Sequence, residues 1–413
     1  MGIGIWIFAV LFAFIMLVFT TAIVSVFKKD EYSDYEPKVS VIIPCYNEEK
    51  NIEGCLDSIY AADYPKKKME VIVIDDGSKD NTLKILKEYK EKQKDLVILN
   101  GHHNGKSDAL NLGVKKASHE IIFAVDADTI VEGDSLKKLV RPFTDKTVGA
   151  TNGSCVAKNS DTMMSVFQRI EYHYNNLVRR SFSVLFKNGI WFFGAFACYR
   201  KDALKKIGYF KKDTMTEDMD TSMEIYSAGY RTINVYDALG YTIVPSTMKS
   251  FFRQRARWWM GALQTLKKNK SLFSANSSPS ILFLFISQYW WSFYAVISFP
   301  LIGYQVYYWL PYNMGSFYSL FMYLFRWFSM LGPIYVLYKI PEWGISLYNI
   351  FGVMSYVVSV FLIVSSIYMF KDKLGIKNFL GIFFYFPYTI ILNTVIIVSL
   401  IKLIFLKKKH FIY

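Results

Sequence analysis

The sequence predicts a mainly parallel α/β domain set between apolar helices, one before it and about four after it. Three observations carry this. Short β-branched runs alternate with helical patterns between residues 39 and 125, residues 2–27 hold no charge, and from about residue 281 the chain is apolar again. Composition agrees: 53% of the 413 residues are hydrophobic, and 48 Lys and Arg against 34 Asp and Glu give a net charge of +14. An average soluble chain is about 45–50% apolar, and disorder needs low hydrophobicity. Both facts argue against a purely soluble enzyme and against a disordered chain. Nucleic-acid binding accounts for the basic balance but not for the apolar runs. An integral membrane protein with basic cytoplasmic segments accounts for both.

The elements follow in order. Residues 2–27 suffice for a bilayer core, which needs about 20 helical residues. Lys28 and Lys29 come after this stretch, whereas a cleaved signal carries its charge before the apolar core. Residues 1–28 therefore read as an uncleaved anchor with its basic end in the cytoplasm. Residues 36–245 read as a cytoplasmic globular domain. Runs 39–43, 69–74, 96–99 and 120–125 have the content of buried strands, and 48–60, 81–92 and 106–117 have helical spacing. Such alternation makes a parallel sheet, whose ligands bind beyond the carboxyl ends of its strands. Residues 246–272 read as a basic amphipathic helix at the membrane surface. There Lys249, Arg253, Arg255, Arg257, Lys267, Lys268 and Lys270 interleave with Phe251, Phe252, Trp258 and Trp259, with no acid.

Residues 280–406 read as a bundle of about four spans, at 281–309, 317–338, 343–370 and 378–401. Five spans in all place the loop 371–377 on the side away from the globular domain, against its net positive charge, and lysines 407–409 inside. Arg326, the one charge within these segments, is either functional or turned to a neighbouring helix or the interface. The cysteines Cys45, Cys55, Cys155 and Cys198 lack metal-site spacing and read as reduced and packed.

Polar groups stand where strands end. Pro44, Tyr46 and Glu48 follow the first, Asp76 follows the second, Lys106 opens the third helix, and Asp126 and Asp128 follow the fourth strand. One such cluster is ordinary, because strand-to-helix loops are polar and Asp or Ser often caps a helix. Four on one sheet edge suggest a shared site. Asp126 and Asp128, at i and i+2 of an extended segment, point the same way and can share a hard divalent cation with a diphosphate. Asp76 can accept hydrogen bonds from a base or ribose, or serve only an Asp-Gly turn. Lys106 can meet a phosphate or base edge, or be a solvated lysine. Thr216, Glu217 and Asp218 form a second acidic group. Asp218 can act as a general base toward a hydroxyl, while Thr216 can cap a helix whose first-turn acids are Glu217 and Asp218. In the basic helix, Arg257 can pair with a diphosphate, and Trp258 offers a flat apolar surface to a sugar.

Taken together, Asp76, then Asp126-Ala127-Asp128, then Thr216-Glu217-Asp218, then Gln254-Arg255-Ala256-Arg257-Trp258 form an ordered set. The set resembles the processive family 2 glycosyltransferases of membranes: poly-N-acetylglucosamine, hyaluronan, chitin and cellulose synthases. The resemblance covers residues 39–270 and the arrangement of the flanking spans. It implies a GT-A fold and an inverting transfer from a UDP-sugar. It implies that Pro44, Tyr46, Glu48, Asp76 and Lys106 surround the uridine, with Asp126, Gln254 and Arg257 also on the donor. It implies Asp126 and Asp128 at Mg²⁺ or Mn²⁺, Asp218 as the base, and Phe193, Gly194, Glu217 and Trp258 toward the acceptor. The segment 192–195 departs from the F-F-C-G-T form of cellulose synthases.

The expected activity is elongation of a β-linked polysaccharide, with N-acetylglucosamine as the sugar, at the cytoplasmic face of the plasma membrane and with translocation of the product. Membrane lipids are expected partners and nucleic acid is not; any regulatory subunit would be a separate chain. Two other readings compete. One is a ceramide glucosyltransferase-like enzyme adding one sugar to a lipid. The other is a transporter with a soluble regulatory domain, against which the ordered motifs argue.

Overall fold

β-Branched runs buried on both faces pair in parallel when helices return the chain across the sheet. In the computed structural model, which describes residues 3–28, 32–189, 191–309 and 316–405, this holds for the first half of the domain. Lys29, the break at 311–315 and lysines 407–409 lie outside the described residues. After the apolar helix α1 (Ile3–Val26) come β1 (Val39–Cys45), α2 (Ile52–Tyr60), β2 (Met69–Asp75), α3 (Thr82–Lys92), β3 (Val97–Asn100), α4 (Lys106–Lys116) and β4 (Ile121–Val125). β1 pairs in parallel with β2 on one side and β4 on the other, and β2 pairs in parallel with β3. The chain thus leaves β1 in one direction and returns beyond it in the other. The crevice at that switch, past the carboxyl ends of β1 and β4, is where such sheets hold a ligand.

The second half extends the sheet with mixed direction. It comprises β5 (Ile130–Val131), α5 (Ser135–Val140), β6 (Val148–Ala157), α6 (Met163–Phe186), β7 (Phe196–Arg200), α7 (Lys201–Ile207), α8 (Glu217–Ser227) and β8 (Arg231–Thr242). The strand order is β3-β2-β1-β4-β7-β6-β8-β5. β7 runs antiparallel to both β4 and β6, while β6 and β8 are parallel. One apolar core fills the α2–α3–α5 face, including Ile43, Ile52, Leu86 and Leu139, and a second fills the α4–α7 face around Ile42, Val114 and Leu204.

The basic helix α9 (Met248–Lys268) follows, then α10 (Pro279–Trp309), α11 (Phe317–Trp327), α12 (Leu331–Trp343), α13 (Leu347–Met369), α14 (Ile376–Phe383) and α15 (Tyr385–Phe405). Among the described residues four helices are long and apolar enough to cross a membrane: one before the domain and, after it, α10, α13 and α15. The expected span 317–338 is not one helix. It is the pair α11–α12, bent by 101°, and only if that pair counts as one span does the total reach five. Arg326, at the end of α11, lies 4.5 Å over the Tyr335 ring of α12. The expected span 378–401 is likewise divided into α14 and α15.

The loop 371–377 does not lie away from the globular domain. Asp372 receives Arg169 Nε at 2.6 Å and meets His173 Nε2 at 2.9 Å, and Lys377 Nζ donates to the Ser160 carbonyl at 3.0 Å. The expectation counted the bent pair as a crossing; if the pair turns back instead, every later loop changes side, in keeping with this packing. Helix α6 carries Arg169 and His173. It packs on β6 and β8 on one side and on α1, α13 and α14 on the other.

Candidate active site

The polar clusters predicted at the strand ends come together beyond β1, β2 and β4. Gly77, at φ +82°, makes the turn after Asp76. The buried Asp76 carboxylate accepts the N–H groups of Gly105 at 2.9 Å and Asn104 at 3.3 Å. Asp76 therefore shapes the 101–105 loop as well as serving the turn, and each of its oxygens keeps a further lone pair for a ligand. Tyr46 is exposed and packs its ring 4.5 Å from that of His103, whose Nδ1 lies 3.1 Å from the Asp76 carbonyl. His103 was not singled out in the sequence; its only signal was its place just before α4. Pro44 lies in β1 opposite Ile74 of β2. Glu48 Oε2 accepts Asn51 Nδ2 at 2.8 Å, and its backbone N–H donates to Thr82 Oγ1 at 2.8 Å.

Lys106 joins the two acidic groups. Its Nζ lies 2.6 Å from Asp126 Oδ1 and 3.3 Å from Glu217 Oε1. Burial works against its charge, but Asp126, Glu217 and Asp218 outweigh burial and hold the ammonium above its ordinary range. Asp128 is pushed up to about 6 by burial and then by the charges of Asp126 and Glu48. Burial likewise raises Glu48, with Asp126 and Asp80 adding to it and Asn51 opposing. Three carboxylates thus crowd one side of the crevice with one lysine between them and Glu217. This donor set fits a hard divalent cation, which takes carboxylate oxygens and completes its shell with water and phosphate oxygens. Among the described residues no group of three or more His, Cys, Asp and Glu forms a metal centre from protein alone. A cation held by Asp126 and Asp128 would therefore need water or a ligand to complete its shell.

Asp218 lies in the first turn of α8, where the helix end favours a carboxylate. Its Oδ2 accepts the Gly194 N–H at 2.6 Å and its Oδ1 the Met219 N–H at 2.8 Å. Burial raises its pKa, Glu217 adds to this, and Lys106 and the two N–H groups oppose, leaving it pushed up to about 6. Thr216 stands at the N-cap position of α8, but its side chain makes no capping hydrogen bond. Its hydroxyl faces Thr265 of α9 at 3.4 Å, because Gly261 lets α9 approach so closely that a Cβ there would stand 2.6 Å from Thr216 Cγ2. The acidic triplet and the basic helix are thereby packed together.

The remaining predicted residues lie along this junction. Arg257 reaches the Met215 carbonyl at 3.4 Å and is otherwise exposed. Trp258 packs beside Tyr172, ring centres 6.5 Å apart, under the Arg255 guanidinium. Gln254 lies one turn earlier on α9, with its Oε1 buried. Phe193 is covered by the Arg179 guanidinium at 4.2 Å. Arg179, Arg255 and Glu171 were not among the predicted site residues; buried charges on a helix look like solvated ones in a sequence.

A family model described as glycosyltransferase like family 2 matches residues 37–261, more than half of the chain. The chain belongs to glycosyltransferase family 2. Among relatives of this family 2 chain is the poly-beta-1,6-N-acetyl-D-glucosamine synthase of Staphylococcus epidermidis, 32% identical over 244 residues, which are 58% of each chain. The synthase of the same name from Staphylococcus aureus strain COL is 32% identical over 244 residues, 59% of this chain and 58% of the relative. The chain thus matches just under three fifths of the length of these relatives. The mannosyltransferase PcManGT of Pyrobaculum calidifontis, solved with GDP-Man and Mn²⁺, shares the fold across 98% of each chain. Its TM-score is 0.64 and its identity 21%. The GT-A-like fold expected from the motifs is therefore the fold of this family 2 chain.

Proposed function

We propose that this chain is an inverting glycosyltransferase that takes UDP-N-acetylglucosamine and elongates a β-linked polysaccharide at the cytoplasmic face of the membrane, with translocation of the product. The observation that carries the reading is the Lys106 bridge, 2.6 Å from Asp126 and 3.3 Å from Glu217, which sets the donor-side and acceptor-side acids on one crevice. The choice of sugar rests on the names of the staphylococcal relatives. The Mn²⁺ in the solved mannosyltransferase supports a divalent ion on Asp126 and Asp128. The basic loop 371–377, packed on the domain, supports a cytoplasmic placement by the positive-inside rule.

On this reading Pro44, Tyr46, Glu48, Asp76 and Lys106 lie around the uridine, and Asp126, Gln254 and Arg257 face the diphosphate. Asp126 and Asp128 would hold Mg²⁺ or Mn²⁺, which would supply positive charge to a nucleotide diphosphate there. Asp218 removes the proton of an acceptor hydroxyl, and the freed oxygen attacks the anomeric carbon from the face opposite the diphosphate. The glycosidic bond forms as the bond to the diphosphate oxygen breaks. One displacement inverts an α-linked donor into a β-linkage. Phe193, Gly194, Glu217 and Trp258 shape the acceptor side.

The test is the full chain in nanodiscs with a panel of labelled UDP-sugars and Mg²⁺ or Mn²⁺. A ladder or smear of labelled product from UDP-N-acetylglucosamine is the expected result. A single sugar on lipid overturns the elongation, a ladder from another donor overturns the sugar, and absence of UDP release overturns the enzyme reading.

A further inference from the structure

Helix α6 runs between the sheet and the apolar helices, and its polar side chains are buried at that boundary. Glu171 reaches the basic helix with its carboxylate. Its carboxylate accepts the hydroxyl of Tyr388 on α15 and lies 2.9 Å from Arg255 Nη2. Arg255 belongs to the same five-residue stretch as Arg257 and Trp258, yet it points inward: its side chain is only 8% exposed. Its guanidinium lies over three rings, those of Trp258 at 4.6 Å, Phe251 at 5.4 Å and Tyr172 at 5.7 Å. Tyr388 continues the contact into the apolar bundle, stacked on Phe167 at 5.2 Å and 5.8 Å from Phe251.

A buried guanidinium needs a charged partner, and removing that partner leaves an uncompensated charge. Glu171 is that partner as an ion pair, so its charge anchors the Arg255 guanidinium, and Trp258 rests against the guanidinium through a cation–π contact. We infer that Glu171, Arg255 and Tyr388 form a positioning relay that holds Trp258 against the acceptor and couples it to the membrane helix α15. The relay rests on the reading of Trp258 as an acceptor surface. Glu171 and Tyr388 touch no donor or acceptor group; they act through Arg255. A purely structural ion pair would, when weakened, lower the amount of folded enzyme without discriminating between substrates. A relay weakens the acceptor alone.

The experiment uses the full chain in nanodiscs, UDP-N-acetylglucosamine with Mn²⁺, and a β-linked N-acetylglucosamine pentasaccharide as added acceptor. UDP release and the ratio of free sugar to transferred sugar are both read. Glu171→Gln is expected to raise the acceptor KM about ten-fold and Tyr388→Phe, which loses one hydroxyl, about five-fold. In both, the donor KM stays within about two-fold, more donor is lost to water, and Glu171→Asp recovers part of the loss. Should Glu171→Gln fail to fold, Tyr388→Phe decides. If donor and acceptor KM rise together, or neither moves while Trp258→Ala raises the acceptor KM, the relay is overturned. If Trp258→Ala itself leaves the acceptor KM unchanged, the acceptor reading of Trp258 fails first and the relay falls with it.

Discussion

Gly194→Ala tests the placement of Asp218 without touching a carboxylate. A Cβ added at Gly194 would overlap the Cβ of Asp218, closer than the 3.0 Å that real Cβ atoms respect, and would stand 3.2 Å from its Cγ and Oδ2. Carbon atoms rest at about 3.5–4.0 Å, so the two backbones must part by about 1 Å. The N–H of residue 194 survives the change, but its 2.6 Å bond to Asp218 Oδ2 lengthens as they part. A misplacement of about 1 Å at a reacting group costs up to about 10²-fold in rate, or about 2.7 kcal/mol of barrier. Asp126 meets this segment through its backbone N–H, which donates to the Ala195 carbonyl at 3.0 Å, while its carboxylate is held by Lys106 on α4, so affinity for UDP is expected to stay within about two-fold. The assay is UDP release at saturating donor beside UDP binding by calorimetry. A kcat within about three-fold of the parent enzyme would refute the claim that the close approach of Gly194 and Asp218 sets the base.

Three further outcomes follow from the same geometry. Asp218→Asn abolishes transfer with UDP binding nearly intact; in the parent enzyme kcat falls as pH drops below about 6, because the raised carboxyl must be ionised to accept a proton. A flat profile from pH 5 to 8, or turnover by the Asn variant, contradicts the role. Asp128→Ala loses the metal-dependent part of UDP binding, so calorimetry with Mn²⁺ and with chelator gives the same weakened affinity; an undiminished Mn²⁺ effect rejects it. Burial alone would raise Asp372, but the His173 hydrogen bond and the Arg169 charge outweigh burial and hold it at about 2. Its stabilisation, about 2–3 kcal/mol, is complete above the unfolded value near 3.9 and is lost as pH falls through about 2. Asp372→Asn should accordingly lower the thermal midpoint at pH 7 and flatten its fall between pH 4 and 2. An unchanged midpoint would mean the pair contributes nothing.

The first half of the sheet was legible because β1, β2 and β4 are buried on both faces, so their sequences are near-continuous β-branched runs. The polar residues that follow each strand are therefore placed by topology alone. β6 gave no such signal. It is built from small residues, Gly149, Ala150, Gly153 and Ser154: a Cβ at Gly153 would fall on the Phe196 ring of the neighbouring β7, and one at Gly149 would stand 2.7 Å from both Ile225 and Tyr230. The break between α11 and α12 falls at Phe328, Ser329 and Met330; Gly332 and Pro333, in the first turn of α12, mark it, but they sit inside an apolar run and hydropathy alone reads through them. The side of the 371–377 loop was lost with that break. What would have restored it is the pairing of Asp372 with Arg169, about two hundred residues apart in sequence.

The candidate site shows the same division between chemistry that is local and electrostatics that is not. Each motif names its own groups: two carboxylates two residues apart, an acid at a helix start, an arginine and a tryptophan on a basic helix. None of them says that Lys106 stands between Asp126 and Glu217, and that placement changes what each acid can do. Lys106 is the counter-charge in this crevice, and its charge opposes the upward push of burial on Asp128 and Asp218. Asp126 and Glu217 are both paired with Lys106, whereas Asp128 and Asp218 are pushed up to about 6 by burial. These are the two carboxylates for which the proposed chemistry needs opposite partners, a cation for one and a proton for the other. The lysine thus separates the roles of four neighbouring acids, a function that no single motif carries and that only their meeting in the fold reveals.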